Sequence, residues 1–179
     1  MEDNLRDLRL DTLEVVNLRA MLGSGSQGPA EGLSAAPLEA LAALQKERLI
    51  RHLGVSNVTE SQVAAARAIA PTVCVQNQYN LAHRGGDALI DALAADGTAY
   101  VLFFPLGGVS PLQSSTLDEV AQQLSAMPMQ AVLAWLLRRS PNILLIPGTS
   151  SVGHLQEKLA AASSHLPDEA LAVLNAIGG

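Results

Sequence analysis

The chain has 179 residues, of which 49% are hydrophobic, so it is long and apolar enough for a sizeable buried core. Its net charge of −6 comes without a cluster of lysines and arginines, which excludes nucleic acid and anionic membranes as expected partners. A single cysteine, Cys74, excludes an internal disulfide and a cysteine-rich metal site.

Five short segments rich in aliphatic and β-branched residues predict strands. They are Thr12–Leu18, Ile50–Ser56, Thr72–Tyr79, Ala99–Pro105 and Asn142–Pro147. Apolar residues at helical spacing lie between these segments, so we expect strands and helices to alternate along the chain.

Local signals predict where several helices begin and end. Thr59 with Gln62 three residues on forms a capping-box pattern, which predicts a helix start. Pro37 predicts another start, and Gly97 predicts a helix end. Met127–Pro128 predicts the boundary between two successive helices.

Alternating strands and helices predict an α/β protein with a parallel sheet, either doubly wound or a (β/α)8 barrel. In both folds ligands bind at the carboxyl ends of the strands. Polar residues or glycines follow all five predicted strands, so we expect a functional face there. They are Asn17 and Arg19, Ser56 and Asn57, Gln76–Asn80, Pro105–Gly108, and Gly148–Ser151.

The roles of these residues stay open at this level. Ser56 and Asn57 carry the donors and acceptors that bind a planar amide, but Asn57 also suits a turn before Thr59. The amides at 76–80 fit either a site or a satisfied structural network. The corner at 148–151 fits either an anion site or an ordinary helix cap.

Several other motifs are weaker. The pattern "GSGSQG" at 23–28 matches a dinucleotide-binding fingerprint, but Pro29 follows it, so a loop is favoured over a helix start. The four histidines show no metal-ligand spacing, so no metal site is expected. The longest apolar run, at 100–109, is too short to cross a bilayer, and the acidic start lacks signal-peptide features. We therefore expect a cytoplasmic protein.

The ordered motifs "GVSN", "VQNQYNL", "FFPLGG" and "IPGTSSVGHLQEKLAA" resemble the C-terminal part of the aldo/keto reductase family. The resemblance covers nearly the whole chain. It implies a partial (β/α)8 barrel of about five parallel strands with covering helices, forming one domain at 1–179 that lacks the first strands and their helices. It also implies NAD(P)H-dependent reduction of a small-molecule carbonyl.

The resemblance assigns twelve residues to cofactor binding. Ser56, Asn57 and Gln76 would bind the carboxamide of the nicotinamide. Phe103 would stack against the nicotinamide ring. The remainder, at the pyrophosphate and the adenosine end, are Leu106, Gly107, Gly148, Thr149, Ser150, His154, Glu157 and Lys158. The resemblance implies NADP as the cofactor, and NAD is the alternative because Gly148 and His154 stand where many members have lysine and arginine.

The family's catalytic Asp, Tyr and Lys have no counterpart in this sequence, and Arg19 falls at the position of its histidine. Tyr79 and Tyr100 do not match the family's acid tyrosine. We therefore expect the chain alone to be inactive, as a truncated product or fragment of a reductase, with open barrel edges that favour self-association. The alternative is a non-catalytic half barrel that binds a nucleotide or a partner chain.

Overall fold

The computed structural model describes residues 2–20, 35–107 and 114–178, and the chain divides into two compact units, Met1–Asn77 and Gln78–Gly179. The strands of the described residues are β1 (Leu13–Arg19), β2 (Ile50–Ser56), β3 (Thr72–Gln78), β4 (Ala99–Phe103) and β5 (Ile143–Leu145). The helices are α1 (Glu2–Leu8), α2 (Ala35–Lys46), α3 (Glu60–Ile69), α4 (Asp87–Ala95), α5 (Ser115–Gln123), α6 (Pro128–Arg139), α7 (Val152–Ala160) and α8 (Asp168–Asn175).

Every strand is parallel to the strand it pairs with inside its own unit. In the first unit β1 pairs with β2 and β2 with β3, and in the second unit β4 pairs with β5. Parallel strands need a crossover between them, and helices provide it here, as in other α/β proteins. The expected α/β class with five parallel strands is therefore confirmed.

The hydrophobic core of the first unit lies between β2 and its helices. Ile50 and Leu53 of β2 are buried with Ala42 of α2 and Ala70, which follows α3. Burial of such side chains supplies the main favourable term in folding. Leu53 and Val55 are buried on one face of β2, which leaves Gly54 and Ser56 on the other face, the polar face described below.

An aromatic cluster forms the centre of the second unit. The rings of Tyr79 and Trp135 are stacked with centroids 6.1 Å apart, and the Tyr100 ring meets Tyr79 edge to face at 6.2 Å. The Tyr79 hydroxyl donates to Asp87 at 2.5 Å, and Arg139 donates to the same carboxylate at 3.0 Å. Burial raises the pKa of both tyrosines, so both hydroxyls stay protonated at neutral pH.

Most helix boundaries follow the sequence signals. Pro128 opens α6, and Gly97 after α4 adopts a positive φ of 75°, a conformation that favours glycine. Pro37 lies in the first described turn of α2 (Ala35–Lys46), where proline is tolerated. The "GSGSQG" segment at 23–28 lies outside the described residues. Within the parts of the chain that are described, every helix is too short or too polar to span a membrane.

The capping box of α3 generates a test of the fold. Gln62 donates its backbone N–H to the Thr59 hydroxyl, and Thr59 donates its own N–H to the Gln62 side chain at 2.8 Å. Thr59→Ala removes the first of these bonds, so we expect a loss of about 1 kcal/mol in the free energy of unfolding, measured by urea denaturation. Thr116→Ala, inside α5, is the matched control and should lose little. Equal losses in both variants would contradict the role of the cap.

Candidate functional site

Strands β1, β2 and β3 place polar side chains in two rows on one face of the first unit. Alternate residues of a strand share a face, and paired residues of neighbouring strands lie side by side. The paired residues form the rows Asn17, Gly54 and Cys74, and Arg19, Ser56 and Gln76. The second row lies at the carboxyl ends of the strands, where the sequence predicted the site.

The row at the strand ends brings three of the predicted residues together. Arg19 Nη1 lies 3.4 Å from the Ser56 hydroxyl, and Gln76 pairs with Ser56 across the sheet. Ser56 is buried, while Gln76 is half-buried. A guanidinium, a hydroxyl and a primary amide therefore share one edge, which suits a ligand that needs both donors and acceptors.

Asn57 turns the chain at the end of β2. Its φ of 59° lies in the left-handed region, which asparagine tolerates better than most residues. Its side-chain Nδ2 donates to the Ala20 carbonyl at 3.0 Å, and its backbone N–H donates to the Gln76 carbonyl at 2.9 Å. The turn considered from the sequence is therefore present, and it ties the ends of all three strands together.

Two other amides of the cluster after β2 and β3 have structural partners. Asn77 is bonded twice to Val58, since its Nδ2 donates to the carbonyl at 2.7 Å and its Oδ1 accepts the N–H at 3.0 Å. In the second unit, Asn80 Nδ2 donates to the Phe104 carbonyl at 3.0 Å. The satisfied network is thus the right interpretation for Asn77 and Asn80, and it sets the turns beside the predicted site residues.

A cleft of about 360 Å³ lies between the ends of β4 and β5 in the second unit. Its lining includes Phe103 and Leu106 on one side and Gly148 on the other. Phe103 is buried and meets Phe104 edge to face at 5.2 Å. Gly107, which ends the turn, has a φ of 92° and donates its N–H to the Phe104 carbonyl at 3.1 Å.

The corner at 148–151 forms a true helix cap. The Ser151 hydroxyl accepts the His154 N–H at 3.3 Å, and the Thr149 hydroxyl accepts the Ser151 N–H at 3.2 Å. Ser150 and His154 are exposed beside this turn. The cap uses one of the four N–H groups that a helix leaves unbonded at its start, and an anion at the same corner would bind to the others.

A lysine two helical turns beyond the Ser151 cap reaches back to this corner. Lys158 Nζ donates to the Gly148 carbonyl at 2.6 Å and lies 3.5 Å from the Pro147 carbonyl. Glu157 is half-buried, and its backbone carbonyl accepts from Gln130 at 3.2 Å. The family resemblance assigned Lys158 to cofactor binding, and the structure adds the contact of its ammonium with the backbone of this corner.

Comparison with known proteins identifies the family. The model of the aldo/keto reductase family matches residues 2–178. The chain belongs to the aldo/keto reductase family. The narrower expectation, a match to the C-terminal part of the family only, is not borne out. Proteins of this family use NAD(P)H and act on small-molecule carbonyl compounds.

Curated relatives of this aldo/keto reductase chain include a pyridoxine 4-dehydrogenase from Escherichia coli (strain K12). It is 63% identical over 177 residues, which cover 99% of the chain and 62% of that protein. An oxidoreductase described as uncharacterized, from Schizosaccharomyces pombe, is 39% identical over 77% of the chain and 45% of its own length. The chain therefore spans less than two thirds of the length of these relatives.

Solved aldo-keto reductases share the fold. A thermostable aldo-keto reductase solved with the inhibitor epalrestat matches with a TM-score of 0.82 at 29% identity, covering 99% of this chain and 64% of that chain. An aldo-keto reductase of the silkworm, Bombyx mori, matches with a TM-score of 0.80 at 21% identity, covering 99% and 57%. The expected partial (β/α)8 barrel is confirmed by these neighbours. The single domain at 1–179, the cytoplasmic location and the self-association remain predictions.

The structural bonds of Asn77 generate a test. Val58 is fully buried, so Asn77→Ala leaves a peptide N–H and a carbonyl without their partner. We expect a loss of about 2–3 kcal/mol in the free energy of unfolding, measured by urea denaturation. The control is Gln123→Ala, on the exposed surface of α5, which should cost little. A loss at Asn77 no larger than at Gln123 would show that these bonds contribute nothing.

Proposed function

We propose that the chain binds NADP(H) as part of an oxidoreductase that transfers a hydride between the nicotinamide and a carbonyl carbon. The observation that carries this proposal is the row of Arg19, Ser56 and Gln76 at the strand ends of an aldo/keto reductase chain. When bound, the cofactor supplies the hydride, and the residues of this chain supply its binding groups.

The first unit offers groups that suit the nicotinamide carboxamide. Gln76 Oε1 accepts from Asn17 at 2.8 Å, and within the described residues its Nε2 has no partner. Ser56 adds a hydroxyl beside it, and Asn57 follows in the turn. An amide bound by an amide and a hydroxyl has both its carbonyl oxygen and its N–H groups satisfied, which supports this assignment.

The second unit offers groups that suit the dinucleotide phosphates. Phe103 and Leu106 line a cleft of about 360 Å³, which Gly148 borders, and Gly107 follows in the adjoining turn. A Cβ added at Gly148 would meet no atom within 4 Å, so the backbone there is open to a close approach. The α7 N-terminus, with Thr149 and Ser150 before it, favours negative charge.

Lys158 supports NADP over NAD. Gly148 and His154 replace the cations that the family resemblance places at this corner, but the Lys158 ammonium lies 2.6 Å from the Gly148 carbonyl. An ammonium has three donors and forms strong, charge-assisted bonds to phosphate oxygens. We assign Lys158, with Thr149, to the 2′-phosphate, and Glu157 to the neighbouring ribose or base.

Replacement of Lys158 tests the cofactor preference. In Lys158→Met the affinity for NADP⁺ should fall about tenfold while the affinity for NAD⁺ stays unchanged, because only NADP⁺ carries the 2′-phosphate. Isothermal titration calorimetry with each dinucleotide measures both. Lys46→Met, at the exposed end of α2, removes a lysine elsewhere and is the charge control. Parallel losses for NADP⁺ and NAD⁺ would contradict the assignment.

The relative at 63% identity supports a substrate. That protein is described as a pyridoxine 4-dehydrogenase. We therefore propose pyridoxine, and the aldehyde formed by oxidation at its 4 position, as the substrate pair. The carbonyl carbon of the aldehyde is the hydride acceptor in the direction of reduction.

The described residues do not offer a tyrosine as the proton donor that reduction requires. The chain has two tyrosines, and Tyr79 and Tyr100 are both fully buried in the aromatic cluster. The Tyr79 hydroxyl also donates a hydrogen bond to Asp87. Removal of a general acid costs roughly two to four orders of magnitude in rate, so we expect cofactor binding with little turnover.

The overall proposal is tested with the purified chain. Titration with NADPH, followed by its fluorescence, should show saturable binding that Gln76→Ala weakens. Consumption of NADPH with the 4-aldehyde of pyridoxine should remain near the rate without protein. Absence of NADPH binding would refute the binding assignment, and rapid consumption would refute the argument from the buried tyrosines.

A further inference from the structure

The Asn17 side chain crosses the neighbouring strand β2 to reach β3. Asn17 pairs with Gly54, and Gly54 pairs with Cys74, so β2 lies between the first and the third residue. Neighbouring strands are about 4.8 Å apart, which puts β1 and β3 about twice that distance apart. Even so, Asn17 Nδ2 donates to Gln76 Oε1 at 2.8 Å, and Cys74 Sγ donates to Asn17 Oδ1 at 3.2 Å.

The missing side chain of Gly54 opens this path. A Cβ at Gly54 would overlap Asn17 Oδ1, lie 2.5 Å from Cys74 Sγ and lie 3.0 Å from the Cys74 carbonyl oxygen. Glycine inside a strand weakens the strand and often marks a place where another group approaches closely. Here the approaching group is the Asn17 amide, which occupies the space above Gly54.

Asn17 accepts one of its two hydrogen bonds and donates the other. Burial raises the pKa of the Cys74 thiol, so Cys74 keeps its S–H at neutral pH and can donate. In the structure this S–H donates to the Asn17 oxygen, which directs Nδ2 toward Gln76. Gln76 receives that N–H on Oε1, and its own Nε2 consequently faces away from Asn17.

We propose that Asn17, held by Cys74 across Gly54, is a positioning residue that makes Gln76 present an N–H donor to the carbonyl oxygen of the nicotinamide carboxamide. The proposal rests on the assignment of Gln76 to the carboxamide made above. Without the hydrogen bond from Asn17, the Gln76 side-chain amide can flip and exchange the positions of its oxygen and nitrogen, because the two ends have nearly the same shape. Asn17 thus determines whether Gln76 presents its N–H groups or its oxygen to the ligand.

A polarity-reversing substitution tests the proposal. In Asn17→Asp both side-chain ends are acceptors, so Gln76 must turn its N–H groups toward the new carboxylate and its oxygen toward the ligand. The ligands are NADP⁺, its 3-acetylpyridine analogue, which keeps the carbonyl but lacks the N–H groups, and 2′-phospho-ADP-ribose, which lacks the nicotinamide. Calorimetry gives the dissociation constant of each for the 179-residue chain.

The ratio of the dissociation constants of the analogue and NADP⁺ should rise about tenfold in Asn17→Asp, because the analogue cannot donate to a reversed Gln76. Binding of 2′-phospho-ADP-ribose should be unchanged. Val15→Asp is the matched control, since it adds a carboxylate at an exposed position on the same face of β1 and should leave the ratio as it is. Cys74→Ser keeps a donor and should behave as the unmodified chain, whereas Cys74→Ala should raise the ratio.

Other outcomes overturn the proposal. An unchanged ratio in Asn17→Asp shows that Asn17 does not set the orientation of Gln76. An equal loss for all three ligands shows a merely structural role for Asn17. If Gln76→Ala weakens NADP⁺ binding in either case, the proposed function stands and only the positioning role fails. If NADP⁺ does not bind the unmodified chain, or binds equally well to Gln76→Ala, the carboxamide assignment and the positioning role fail together.

Discussion

The parallel register of β1, β2 and β3 is the constraint on which the site of the first unit depends. Because Arg19, Ser56 and Gln76 are paired across the strands, their side chains share one face without any help from loops. A shift of one residue in β2 would turn Ser56 toward the helices and bring an apolar side chain to the site. Burial of Leu53 and Val55 on the opposite face of β2 opposes that shift, so the same register that places the polar row also buries these apolar side chains.

The second unit uses its aromatic residues for a different purpose. Tyr79, Tyr100 and Trp135 pack together, and Arg139 links Asp87 to Asp91 with bonds of 3.0 and 2.7 Å. Aromatic pairs of this kind contribute stability beyond the area they bury. The same packing removes both tyrosine hydroxyls from chemistry, because a general acid must reach its substrate. Both tyrosines of the chain therefore serve the packing of the second unit.

The sequence predicted the elements well wherever a local signal decides them. Continuous apolar runs located all five strands, and the Thr59 and Pro128 signals located two helix starts, because such signals act within one turn. The crossing of β2 by Asn17 could not be predicted, since it depends on the register of three strands. The one sequence signal of this crossing is Gly54 in the middle of an apolar strand. A glycine there indicates that another group approaches the backbone closely, but it does not identify that group as Asn17.

The corner at 148–151 shows why local patterns left cap and anion site undecided. Both functions use the same property, which is the set of unbonded N–H groups at the start of a helix. Ser151 satisfies one of them through the His154 N–H, and this makes α7 a properly capped helix without using the remaining donors. What separates a mere cap from an anion site is additional charge. Lys158 lies two turns along α7 and brings an ammonium to the Gly148 carbonyl, so the proposed anion site depends on a residue outside positions 148–151.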